Sequence, residues 1–163
     1  MKQFSERQSD SLEWVRRKAR PREFDLVSGG TVFASLRWQK RCGSLAMAGT
    51  AGGAWTFKRS GFLRTRITSR RANSETASSV FTPGWMGDGL LQLETGQQFR
   101  WARKGLWKPT WTFFDSTEKA GATFTANRGL RKPGAYVRIQ GTAKSLPVAS
   151  FLSAVIAAVA ASS

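Results

Sequence analysis

The chain has 163 residues, 40% of them apolar, including seven Trp and eleven Phe. That is the length of a single domain with enough apolar mass for a real core, which excludes intrinsic disorder. Twenty-six Lys and Arg against ten Asp and Glu give a formal net charge of +16, a surface that attracts polyanions such as phospholipid headgroups or nucleic acid.

Residues 1–22 are polar and mixed in charge, and read as a loosely ordered arm set apart from a domain over 23–163. Within the arm, "SLEWVRRKA" is a short amphipathic stretch that predicts one or two helical turns ended by Pro21. The start of the chain has no apolar stretch of the kind a secretory signal needs, and "KARPREFD" follows Arg16-Arg17 where a twin-arginine signal would turn apolar. With Cys42 as the single cysteine, the expected setting is reducing and cytoplasmic, with peripheral membrane contact open.

From Glu23 to Gly141 the pattern becomes short alternating segments punctuated by Gly, Ser and Pro. Eleven candidate strands follow in order: "EFDLV", "TVFASLRW", "SLAMAG", "AWTFKR", "FLRTRIT", "TASSVF", "GLLQLE", "QQFRWAR", "TWTFFD", "ATFTAN" and "AYVRIQ". Short strands at this spacing predict a mainly β, antiparallel sandwich or barrel. "SGG" (28–30), "AGG" (51–53), "RSG" (59–61) and "ETG" (94–96) place glycine where hairpin turns need positive φ. Alternation puts Val32, Ala34, Leu36 and Trp38, then Trp55 and Phe57, then Leu63, Thr65 and Ile67 on the core face, with Phe99, Trp101, Val137 and Ile139 further on. Lys58, Arg64, Arg66, Arg100 and Arg138 fall on the other side.

The chain closes on "SLPVASFLSAVIAAVAASS", nineteen uncharged residues. After Pro147, Val148, Phe151, Leu152, Val155, Ile156 and Val159 recur at helical spacing, with Ala and Ser opposite, which predicts an apolar helix over about 147–161. The segment is poor as a membrane span, because its alanines and serines contribute little and no aromatic belt or basic cluster flanks its end. A helix apolar all round and edged with small residues suits the inside of a barrel.

The hairpins "GAWTFKRSGFLRTRI", "GLLQLETGQQFRWAR" and "KPTWTFFD", followed by that apolar tail, resemble the tubby C-terminal-like superfamily, which takes in tubby, LURP-one-related and phospholipid scramblase-like proteins. The resemblance covers roughly residues 24–161. It implies a closed twelve-stranded antiparallel barrel with a central hydrophobic C-terminal helix. For function it implies less: tubby domains bind phosphoinositides, scramblases are associated with lipid movement, many relatives have no known activity, and no site residue is carried over.

Without histidine, Ser-His catalysis and the commonest metal ligand are missing, and the few carboxylates are scattered. The loop thiol Cys42 has no histidine to activate it, and "GWMGDG" (84–89) lacks the Lys-Ser/Thr of a phosphate loop. The chain therefore reads as no enzyme, with no catalytic residue, metal or cofactor expected. What remains is charge. Between Thr31 and Ser74 there are nine Lys and Arg and no acid. Lys58, Arg59, Arg64, Arg66, Arg70 and Arg71 are the candidate anion site, Arg offering a planar fork to phosphate and Lys a point charge. Arg59 is expected at the hairpin turn, and Arg70 and Arg71 in the following loop. A second basic loop holds Arg128, Arg131 and Lys132. The leading expectation is a non-enzymatic module that meets anionic phospholipid, phosphoinositide included, at a membrane surface. The alternatives are a basic nucleic-acid-binding barrel, stacking bases on Trp14, Trp85 or Trp107, and a partner-binding domain without a small ligand.

Overall fold

The computed structural model describes residues 12–16, 23–39, 44–61, 65–105, 109–127 and 134–139. They form twelve strands: β1 (Leu12–Arg16), β2 (Glu23–Ser28), β3 (Thr31–Trp38), β4 (Leu45–Thr50), β5 (Gly53–Ser60), β6 (Arg66–Arg71), β7 (Ser79–Pro83), β8 (Gly89–Leu93), β9 (Gln98–Lys104), β10 (Thr110–Phe114), β11 (Ala120–Asn127) and β12 (Gly134–Ile139). Each pairs antiparallel with its sequence neighbours, and β1 pairs with β12, so the sheet closes into an up-and-down barrel without an open edge. The eleven strands expected from alternation are β2 to β12. At the tight turns Gly29, Gly30, Gly53, Gly61 and Gly96 all carry positive φ, the region that a Cβ disfavours.

The twelfth strand corrects the reading of the N-terminal arm. Residues 12–16 are strand, neither solvated nor helical: Glu13 pairs with Tyr136 on one side and Val27 on the other. Leu12 and Trp14 alternate with Glu13 and Val15, and both apolar side chains are buried. The ladder bonds offered by β2 and β12 outweigh a helical preference that is weak over so few residues.

Two bulges shift the alternation. Leu26 pairs with Ala34 and Val27 with Val32, so Phe33 is the extra residue of β3 and turns into the core beside Ala34. Val32, expected inside, is only half-buried. In β11, Phe113 pairs with Ala122 and Phe114 with Ala120, leaving Gly121 as the extra residue.

The inward side chains differ around the wall. Trp101 is the hub of an aromatic sector, with ring centroids 4.5 Å from Phe113, 5.6 Å from Phe124 and 6.1 Å from Phe81. Ala34, Ala46, Ala48, Ser69 and Ser79 line β3, β4, β6 and β7 with small groups, all buried. The outer face carries Glu13, Lys58, Arg66, Arg70, Arg100 and Arg138 at different heights. Polar outside and apolar inside is the inverse of a transmembrane barrel's pattern. No helix among the described residues is long and apolar enough to cross a membrane. The expected helix over 147–161 lies outside the described residues.

Successive strands run in opposite directions, so the barrel has two distinct ends. At one end β1 finishes at Arg16, β3 at Trp38, β5 at Ser60, β7 at Pro83 and β9 at Lys104. The other end carries the turns 29–30, 51–52, 72–78, 94–97 and 115–119.

Candidate functional site

β5 and β6 pair with Ser60 opposite Arg66, Lys58 opposite Thr68, Thr56 opposite Arg70 and Trp55 opposite Arg71. Paired residues share a face. The inward set includes Trp55, Phe57 and Ile67, all buried; Lys58, Arg66 and Arg70 therefore point outward. Three consecutive outward rungs carry one cation each, with Lys58 diagonal to both arginines at the ~7–8 Å spacing of such neighbours.

The sequence reading is corrected in two places here. Arg59 is a residue of β5, opposite Ile67, and Arg70 and Arg71 belong to β6, not to a following loop. By parity Arg59 and Arg71 are inward positions, at opposite ends of the hairpin. Neither can enter the core as a charge, and both reach the rim, where they are exposed. The Arg71 guanidinium lies over the Trp55 ring at 5.5 Å from its centroid, a cation–π contact that holds it at the far rim. Arg64, Arg128, Arg131, Lys132, Cys42 and Trp107 lie outside the described residues.

Among the described residues, the neighbours that β4 and β7 set beside the ladder are uncharged. β4 sets Leu45 opposite Lys58 and Met47 opposite Thr56, and β7 sets Val80 opposite Thr68. Met47 is exposed. Among the described residues no carboxylate comes within ion-pairing distance of Lys58, Arg59, Arg66 or Arg70. Elsewhere on the outer wall two cations are matched: Arg37 meets Glu23 at 3.8 Å, and Arg100 grips Glu118 with both Nε and Nη2. That grip holds the Glu118 carboxyl below its usual range and the Arg100 guanidinium above its own. Such a ladder can receive anionic oxygens.

Among the exposed-aromatic candidates, Trp14 is buried inside the barrel and is corrected accordingly. Trp85 is fully exposed, as is its neighbour Met86, which sequence reasoning did not single out. Among the described residues no three of His, Cys, Asp and Glu converge as metal ligands. Compared with protein-family models, curated proteins and solved structures, the chain shows no significant match in any of the three.

Proposed function

We propose that this protein is a non-enzymatic, tubby-like binding barrel that meets anionic phospholipid at a membrane surface, phosphoinositide included. The observation that carries the reading is the outward diagonal pair Lys58 and Arg66, exposed and without an acidic partner among the described residues. A matched surface charge has its counterion built in, whereas these cations recruit theirs from outside. Membrane lipid is favoured over nucleic acid because, among the described residues, the wall flanking the ladder is aliphatic and threonine-rich, and the one exposed Trp, Trp85, stands on a separate turn and not between the cations. Flotation of the full chain with phosphatidylcholine vesicles, plain or doped with phosphatidylserine or a phosphoinositide, tests it. Flotation only with the anionic compositions supports the reading. Indifference to composition, or a steeply salt-dependent shift of single-stranded nucleic acid instead, removes it.

The same proposal gives the C-terminal apolar segment, about 147–161, a place along the barrel axis. An eight-stranded barrel is just filled by its own side chains, and twelve strands enclose a wider space. Yet Ala34, Ala46 and Phe99 are wholly inaccessible to solvent. A helix edged with Ala and Ser fits against the small-residue sector of β3, β4, β6 and β7.

A further inference from the structure

We infer that the barrel docks on the bilayer by one end, its β7–β8 turn entering the headgroup layer and Lys58, Arg59 and Arg66 meeting lipid phosphates beside it; this rests on the anionic-lipid reading above. The turn is Gly84-Trp85-Met86-Gly87-Asp88, between Pro83 and Gly89. It is a defined structure: Gly84 N–H donates to the Asp88 carbonyl at 2.8 Å. The Asp88 carboxylate folds back over Gly84, occupying the space where a Cβ would stand. Gly87, at φ 79°, sits against the Arg103 side chain of β9. At the base, Gly89 leaves room for the inward Phe81 ring. The result is a hydrogen-bonded tip with relative exposures of 104% for Trp85 and 87% for Met86, while the described Phe and Trp residues of the wall are half-buried or buried. A convex tip bearing an amphipathic indole beside a flexible thioether is suited to the headgroup boundary, where Trp is favoured.

Charge is divided between the two ends in the same sense. Lys58, Arg59, Arg66, Arg103 and Lys104 lie toward the end that bears this tip, against Glu23 (paired with Arg37) and the folded-back Asp88. The far end carries Glu75, Glu94, Asp115 and Glu118 in its described turns against Lys119, with Arg70, Arg71 and Arg100 on the adjoining strands, so the two signs balance there. β5 and β7 stand two strand spacings apart, about 10 Å, so tip and cations fall on one patch of membrane. Arg70 lies four residues further along β6 than Arg66, about 13 Å away. That exceeds the ~8 Å screening length at physiological ionic strength, so Arg70 and Arg71 stand clear of the surface.

The test places an environment-sensitive dye at position 86 (Cys42→Ser/Met86→Cys) or at the far end (Cys42→Ser/Thr95→Cys) of the full chain. Vesicles of phosphatidylcholine with phosphatidylserine carry lipid-borne quenchers, and binding is read separately by sedimentation. Binding with quenching at 86 and none at 95 is the expected result. In unlabelled protein, Trp85→Ser/Met86→Ser should weaken binding at least tenfold with thermal unfolding unchanged. Lys58→Ala/Arg59→Ala/Arg66→Ala should weaken it about a hundredfold, and Arg70→Ala/Arg71→Ala less than tenfold. Binding without quenching at 86, as when the tip meets a protein instead, overturns the docking mode and leaves the lipid reading standing. So does quenching at 95, or equal loss from the two cation sets. Absence of binding to anionic vesicles overturns both.

Discussion

Ser69 and Ser79 face one another across β6 and β7, their hydroxyls 2.6 Å apart and both side chains sealed inside the barrel. Each satisfies the other, and among the described residues no buried side-chain polar atom lacks a partner. In a dry interior, Ser69→Ala leaves the Ser79 hydroxyl unpaired and should cost about 1–3 kcal/mol. Ser69→Ala/Ser79→Ala removes the mismatch and should cost less than the single change. Chemical denaturation of the four proteins in this cycle checks it. A water-filled lumen would make every variant indistinguishable from the parent.

Occupation of the lumen is tested from both sides of the supposed contact. Ala46→Leu adds bulk to a wholly buried position in the small-residue sector and should destabilise by about 1–3 kcal/mol if the space beyond is filled. Ile156→Asp puts a charge into the apolar segment and should abolish cooperative unfolding if that segment lies inside. A segment lying on the surface would tolerate it within about 0.5 kcal/mol.

The turn joining β10 and β11 is built around Asp115, whose Oδ1 accepts from Thr117 N–H at 2.9 Å and Lys119 N–H at 3.1 Å. Glu118 takes φ 58° there, the left-handed region that costs a side-chain-bearing residue about 1–2 kcal/mol. Its carboxylate is held by Arg100, whose guanidinium also covers the Phe114 ring at 4.8 Å. Because the folded-state value of Glu118 is lowered, what the pair contributes is present above the ordinary glutamate range and is lost as pH falls through the depressed value. NMR titration should find Glu118 protonating later on acidification than a free glutamate, and at the ordinary value in Arg100→Ala. Glu118→Gly exchanges the exposed ion pair for backbone relief. Its midpoint in denaturant should therefore be no lower than that of the parent.

Much of this barrel was legible because the physics of its strands is local. "AWTFKR" and "QQFRWAR" alternate cleanly, and glycines at 29, 30, 53, 61 and 96 mark the turns, so β2 to β12 and core positions such as Trp55, Phe57, Phe99, Trp101, Val137 and Ile139 could be read from the chain. β1 could not. Leu12–Arg16 is five residues long, and its apolar spacing fits a helical turn as well as a strand; its fate is set by the edges of β2 and β12, which are distant in sequence. The bulges at Phe33 and Gly121 were equally hidden, since an extra residue leaves no mark on composition.

The candidate site divides in the same way. Lys58 and Arg66 were visible as alternating cations in an acid-free stretch. Arg59, Arg70 and Arg71 were assigned to a turn and a loop because the ends of β5 and β6 depend on their pairing. The division of charge between the two ends needed strand direction, which no local pattern carries. Trp85 was legible as an exposed aromatic, but its company at that end was not.

The central claim, that outward cations of β5 and β6 engage anionic lipid, is met most directly by co-sedimentation of the parent and Lys58→Ala/Arg66→Ala with phosphatidylserine-containing vesicles. Two cations near such a surface contribute about 1 kcal/mol each. The account therefore predicts that the variant binds more than tenfold more weakly, with unchanged stability, and that raising salt diminishes the difference. Equal binding by parent and variant, or binding that ignores the phosphatidylserine content, would contradict it.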